Sequence, residues 1–215
     1  MSHASRGEAA YIDVMNRRDI LIGLAAASIA PTARAQDAAV LGEVSKYLNQ
    51  LRTVQGRFTQ INANGSQTVG TYFWQRPGRI RFEYGASGAM VIADGINVAI
   101  FDPKSNSGVQ RYPLRLTPLR FLLQDRIDLR QRNLATGTAS QNGLTYVTLQ
   151  DPKKPRDGSM VLTLRNKPPT LRGWTVREKN GQETTIRLDS LDKVRQLTPR
   201  LFNIEFTELE FRRNL

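Results

Sequence analysis

The chain has 215 residues, with 31 Lys and Arg against 19 Asp and Glu (formal charge +12), one histidine, His3, and no cysteine. Without cysteine there is no disulfide, no thiol nucleophile, no Cys-ligated zinc and no cysteine-linked lipid anchor. With its histidine three residues from the N-terminus, the chain beyond has none to build a Ser-His-Asp or Cys-His nucleophile.

Near the N-terminus, Arg17-Arg18 precede an apolar run over residues 20–30, and Ala33-Arg34-Ala35 follows as a small-x-small cleavage site. These are the three parts of an export signal, and the run is too short for a permanent membrane span. The expected start is Met15, with 1–14 as an upstream extension, and the twin arginines leave both the twin-arginine and the general secretory routes open. Residues 1–35 are thus expected to be extension and signal, and 36–215 a single soluble domain. Removing four arginines and three acids leaves a charge of about +11. In a cytosolic protein that balance suggests nucleic acid; for an exported one the expectation is no nucleic acid, and an anionic membrane surface, an acidic partner or plain solubility instead.

Val40, Leu41, Val44, Tyr47, Leu48 and Leu51 recur at helical spacing and predict an opening helix, which Asp37 is placed to cap. Residues 54–61 predict a strand and 62–67 a turn around Asn64-Gly65. Two aromatic-rich strands then flank Arg76-Pro77-Gly78: Tyr72, Phe73 and Trp74 before it, Phe82 and Tyr84 after. On the second of these, Ile80, Phe82 and Tyr84 share one face while Arg79, Arg81 and Glu83 take the other. Arg76 sits at the corner, either a snorkelling surface cation or a polar latch over apolar space.

Strands over 89–93 and 97–101 follow, joined by Asp94-Gly95, with Met90 and Ile92 aligned on one and Val98 and Ile100 on the other. After a polar loop over 102–108, Thr117-Pro118 predicts an N-cap with proline in the first turn of a short helix ending near Gln124, with Leu119, Leu122 and Leu123 on its apolar side. A helix this short is stable only when it lies on apolar surface. Strands return at 132–139, 144–150, 160–165, 171–178 and 183–188, and 202–211 alternates enough to suggest a last one. With about ten or eleven strands and no βαβ rhythm, the expected class is α+β: a mainly antiparallel meander that curls, with helices over its concave side.

Four segments, in order, carry a resemblance. Trp74-Gln75-Arg76-Pro77-Gly78-Arg79-Ile80-Arg81-Phe82-Glu83-Tyr84 resembles the W-x-x-R-P-x-x-F/L-R-W/F-x-Y signature of the outer-membrane lipoprotein carriers, the LolA family. Phe58-Thr59-Gln60 is similar to that family's F-x-Q, Asp94-Gly95 to its S/A-D-G turn, and the run 117–123 to its T-P-L-x-x-L-L segment. Ile80 departs from the pattern, where an aromatic is common. The resemblance implies an incomplete β-barrel whose hydrophobic cavity is covered by helices. It implies a periplasmic, monomeric, non-enzymatic carrier without cofactor or metal. Such a carrier takes lipoproteins from an inner-membrane ABC transporter and shields their acyl chains. It delivers them to the outer membrane, in some cases through a lipoprotein acceptor. Carried over to this chain, the lining comprises Phe58, Tyr72, Trp74, Ile80, Phe82, Met90, Ile92, Val98 and Ile100, the lid Leu119, Leu122 and Leu123, and Arg76 latches the lid.

The task needs no reactive group. An exposed sixteen-carbon chain costs roughly 12 kcal/mol at about 0.8 kcal/mol per methylene. Transfer from bilayer to an apolar cavity removes most of that cost and remains reversible. All the lining residues would equally serve as ordinary filled core. Two other readings are a carrier or sensor of another amphiphile, such as a glycolipid, and a carboxylate hydrolase using Asp94, Asp102 or Glu83. Against the hydrolase, Asp94 and Asp102 stand in turn-like sequence and no acid pair has catalytic spacing.

Overall fold

Strand alternation sets the architecture of the computed structural model, which describes residues 30–105, 108–131 and 134–213. The chain divides into two units, 1–36 and 37–215, and the second holds the sheet. The apolar run read as an export signal lies outside the described residues over 20–29.

Among the described residues, twelve strands form one antiparallel sheet. β1 (Thr53–Ile61), β2 (Gln67–Gln75), β3 (Arg79–Tyr84), β4 (Ala89–Asp94), β5 (Asn97–Phe101) and β6 (Gln110–Pro113) step outward from the centre to one edge. The chain then crosses to the far edge, and β7 (Ala135–Gln141), β8 (Leu144–Gln150), β9 (Ser159–Arg165), β10 (Thr170–Arg177) and β11 (Glu183–Leu188) step back until β11 pairs with β1. β12 (Asp192–Lys193) extends the pairing along β1. The two edges, β6 and β7, do not meet, so the sheet curls as an incomplete barrel. β6 has no counterpart among the expected strands, because its four residues are all exposed and carry no apolar alternation.

Register decides which side chains share the concave face. One row across the sheet runs Val54, Trp74, Ile80, Ala93, Val98; the next runs Gly56, Tyr72, Phe82, Val91, Ile100. From the other half, Trp174 stands opposite both Ile186 and Leu162, and Leu162 opposite Val147. Their rings interlock: Phe58 meets Phe82 edge-on at 5.0 Å and Tyr84 at 5.3 Å, while Trp174 meets Trp74 at 6.5 Å and Phe82 at 6.3 Å. Gly70 lies opposite Phe58, and a methyl group there would stand 2.7 Å from the Phe58 ring. The missing side chain is what lets that ring lie on the sheet.

Helix α1 (Ala30–Asn49) buries Val44 and Leu48 in this core, together with Leu51 just beyond its end. It begins upstream of Asp37, which therefore lies within the helix and caps nothing; its carboxylate accepts from Thr138 Oγ1. The alanine-rich stretch before Asp37 has high helix propensity and carries the helix past the expected start.

The convex side is covered as well. Residues 202–211 are not a strand: α2 (Ile204–Arg213) buries Ile204, Thr207 and Phe211, a helical spacing, against Ile92, Ala99 and Phe101. Asn203 caps it, its side-chain oxygen accepting from Phe206 N at 2.8 Å. Arg81, on that outer face, donates to Leu201 O (3.1 Å) and Thr207 Oγ1 (3.3 Å) and ties the segment down.

Candidate functional site

The concave face holds Phe58, Tyr72, Trp74, Ile80, Phe82 and Val98 together, all buried, with half-buried Ile100 in the row beside them. Met90 and Ile92 are not among them. Phe82 stands opposite Val91, so the odd-numbered residues of β4 share its face. Met90 and Ile92 point the other way, into the small cluster under α2. The far wall, built from Val147, Leu149, Met160, Leu162, Trp174 and Ile186, adds lining that the sequence motifs do not single out. Its signal is nonetheless present in part: Val147-Thr148-Leu149 alternates, and Met160-x-Leu162-x-Leu164 does so with Val161 blurring the first step.

Over this face lies the crossover that follows β6. It holds two 3-10 turns, Leu114–Leu116 and Pro118–Phe121, in place of the expected short α-helix. Thr117 is extended and its hydroxyl donates back to Leu114 O at 2.9 Å, so it does not cap a helix. Leu122 and Leu123 are buried and Leu119 half-buried against the core; Phe121, Ile127 and Leu129 join them. The cover's own side chains occupy the concave face.

Polar contacts pin the cover along its margin. Arg76, 5% exposed, donates from Nη2 to Leu48 O (2.8 Å), from Nε to Leu51 O (3.1 Å) and from Nη1 to Gln124 O (3.2 Å). Its guanidinium thus joins carbonyls at and just beyond the end of α1 to the cover, adding a second donor to Leu48 O, which already accepts from Leu51 N at 3.0 Å. Burial foremost, and Arg52 nearby, push its pKa down to about 10, with Asp125 acting in the opposite sense; it stays charged at neutral pH. Gly78 N donates to Leu123 O at 2.8 Å beside it.

A ladder continues from there along α1. Arg52 holds Asp125 through its backbone oxygen (2.9 Å) and carboxylate (2.6 Å). Asn49 accepts from Ile127 N (3.0 Å) and donates to Ile127 O (2.7 Å), and Ser45 Oγ accepts from Leu129 N (2.9 Å). Ser45 and Asn49, one turn apart on α1, and Arg52 just beyond its end thus meet alternate residues 129, 127 and 125 of the cover. Nothing in the sequence pattern marks this seam, because Ser45, Asn49 and Arg52 read as a solvated helix face.

Three aromatic groups inside are chemically distinct. Trp74 Nε1 is buried and finds no acceptor among the described residues. Burial pushes the Tyr84 phenol up to about 12, its hydroxyl donating to Gln60 Oε1 at 2.6 Å; Tyr72 is raised too, first by burial and then by Asp192. The carboxylates considered for hydrolysis have structural partners. Asp94 accepts from Ile96 N and Asn97 N, both at 2.7 Å, Asp102 accepts from Lys104 N at 2.9 Å, and Glu83 pairs with Arg81 at 2.6 Å. Among the described residues no group of His, Cys, Asp and Glu is arranged to hold a metal ion, and no helix is long and apolar enough to cross a membrane.

Two open grooves flank the cover. One, of about 1160 Å³, runs between Arg120, Phe121, Gln124, Arg126 and Asp151; the other, of about 710 Å³, between Gly78, Ile96, Leu114, Arg115 and Leu123.

Several solved structures are similar at low identity. A DUF1329 family protein from Desulfovibrio piger is 11% identical, covering 79% of this chain and 97% of its own at a TM-score of 0.47. A LolA superfamily protein from Nitrosomonas europaea is 12% identical, covering 77% and 98% at 0.41. A chain of the Pseudomonas aeruginosa MucA/MucB complex is 16% identical, covering 77% of this chain and 60% of that one at 0.40. Among curated protein sequences none matches. The sequence itself matches a family model, outer membrane lipoprotein carrier protein LolA, over residues 49–205. That span takes in β1, the aromatic strands, Arg76, the cover and the returning strands, and the chain belongs to the LolA family.

Proposed function

We propose that the protein is a non-enzymatic periplasmic carrier that takes lipoproteins from an inner-membrane ABC lipoprotein-releasing transporter. It shields their acyl chains across the aqueous space and passes them to the outer membrane, through a lipoprotein acceptor where one exists. One observation carries the reading. A continuous apolar concave face is closed by a segment that fills it with its own leucines yet is held at its margin by polar contacts. Exchange of those leucines for an acyl chain stays low in cost where the displaced leucines repack on the bound chain, since leaving them in water would cost about 1.5–3 kcal/mol per large side chain. The unpartnered Trp74 N–H fits the same role, since the carbonyl heading an acyl chain would supply its missing acceptor.

The test is incubation of the soluble protein with inner-membrane spheroplasts, followed by transfer to outer-membrane vesicles. Release of lipoprotein into solution, dependent on added protein, is expected. Absence of release, with a glycolipid identified by mass spectrometry in the purified protein, would give the interior to another amphiphile.

A further inference from the structure

At the end of the sheet beside Arg76, three turns converge. Gly78 comes so near Gly95 that a methyl on Gly78 would stand 2.6 Å from the Gly95 Cα, and Leu114 N donates to Ile96 O at 2.8 Å. Ile96 is thereby set beside the Leu114–Leu116 turn, and Tyr112 lies two residues before that turn on edge strand β6. These are three of the five large apolar side chains most exposed among the described residues: Ile96 at 75%, Leu116 at 48% and Tyr112 at 47%. Their neighbours Val98 and Leu114 are buried, so the tip projects apolar groups that packing within the fold does not require.

The charge around the tip is one-sided. Arg79, whose strand position pairs with Asp94, and Arg115, on the groove with Ile96, are exposed and make no side-chain hydrogen bond or ion pair among the described residues. Of the nearby acids, Asp125 pairs with Arg52 and Asp151 with Arg120 at 2.7 Å, while Asp94 keeps its charge but turns its carboxylate to the Ile96 and Asn97 amides, one anion against the free arginines. Arg126 adds another cation, unpaired among the described residues, on the neighbouring groove. Projecting aliphatic side chains ringed by uncompensated arginines, on a chain of charge +12, match the surface of an anionic bilayer. An acidic protein surface would satisfy the arginines but would leave Ile96 and Leu116 without an apolar layer to enter.

We infer that this tip docks the protein on anionic membrane. Ile96 and Leu116 enter the headgroup boundary, Tyr112 lies at the interface, and Arg79 and Arg115 meet lipid phosphates. The groove from Ile96 to Leu123 then opens toward the bilayer at the edge of the cover. This docking surface is external, and its action does not depend on what the interior carries.

The experiment is co-sedimentation of protein recovered from a periplasmic extract, its N-terminus sequenced to show that residues 20–30 are gone. It uses vesicles of phosphatidylethanolamine with phosphatidylglycerol, and vesicles of phosphatidylcholine alone. Binding to the anionic vesicles only is expected, falling about ten-fold or more in Arg79→Gln/Arg115→Gln and about five-fold in Ile96→Ser/Leu116→Ser. Leu209→Ser, which removes an exposed leucine of α2, should bind as the parent does. Equal binding to both vesicle types, no binding to either, or equal losses in the Leu209 variant would each overturn it. So would full displacement by inorganic phosphate at equal concentration. Spheroplast release is read separately, so failure here leaves the carrier reading intact, and the reverse holds as well.

Discussion

Arg76 concentrates the most consequence in a single side chain. Replacing it with leucine removes a charged donor from the carbonyls of Leu48, Leu51 and Gln124, of which Leu48 O keeps its bond from Leu51 N. Hydrogen bonds to a charged group contribute about 1.5–3 kcal/mol, so Arg76→Leu should free the cover by ten-fold or more. Lipoprotein release and onward transfer should fall while the thermal midpoint drops only modestly. Arg76→Lys should restore part of the transfer, because an ammonium does not span carbonyls on two elements with the geometry of a planar fork. Unimpaired transfer by Arg76→Leu would return the residue to a structural role. Trp74→Phe removes the orphan donor but leaves a void at a fully buried position, so its stability loss should be smaller than that of Trp174→Phe, whose indole N–H is not a buried orphan. Trp74→Phe should also lose about five-fold in affinity for ester-linked lipid, with little change for an ether-linked analogue.

Tyr84 gives a pH dependence of defined sign. Its folded pKa of about 12 lies above the ordinary value of 10.0, so its contribution is complete below pH 10 and is lost as pH rises toward 12. The slope is about 1.4 kcal/mol per pH unit for one group. Arg76, with a folded value depressed to about 10, acts in the opposite sense over the same window. The informative quantity is therefore the difference between variants. Tyr84→Phe should lose less stability than the parent between pH 10 and 12 in denaturant titrations, and parallel profiles would refute the assignment.

At the scale of elements, the seam between α1 and the cover is the place to look for motion. Asn49→Ala leaves both the N–H and the C=O of Ile127 without partners, a loss of about 1–3 kcal/mol. If the cover opens as a unit, amide exchange should accelerate at Ile127 and Leu129 while the strands of β1–β3 stay protected. Uniform acceleration throughout would mean that the seam is part of the global fold. The convex side should behave differently: Phe211→Ala deletes a buried ring packed 5.5 Å from Phe101 and should cost about 3–5 kcal/mol without altering lipid binding.

Across the whole molecule, the fold gives the carrier reading its mechanical sense. The strands leave the centre at β1, reach one edge, and return from the other, so the connection between β6 and β7 joins the two edges, and its buried Leu122, Leu123, Ile127 and Leu129 lay it on the concave face. A cover made of connecting chain is tethered at both ends yet contributes no strand to the sheet, so it can lift without unpairing any strand. The protein recovered from the periplasm is expected to begin near Gln36 and to sediment as a monomer. N-terminal sequencing and analytical ultracentrifugation check both, and a chain retaining residues 20–30 in a membrane fraction would contradict the cleavage.

Much of this is legible in the sequence because it is local. Alternation marks β1–β3, the Asp94-Gly95 turn marks the β4–β5 hairpin, and the spacing of Val44, Leu48 and Leu51 marks α1. The aromatic strands, with Arg76 at their corner, can be picked out because strand parity fixes one face against the other within a few residues. What alternation does not state is which face is concave. In β4 every residue from Ala89 to Ala93 is apolar, since α2 covers the outer side, and only the pairing of Phe82 with Val91 decides that Met90 and Ile92 look outward. The helix at Ile204–Arg213 escapes the pattern for a related reason: short apolar runs satisfy both periods, and the Asn203 cap tips the balance. The ladder from Ser45, Asn49 and Arg52 to residues 125–129 joins polar side chains to backbone groups 73 or more positions away. Sequence determined the strands and the cation at their corner, and tertiary structure alone decided what that cation and that helix hold, because a backbone carbonyl carries no signature of its own until the fold brings a donor to it.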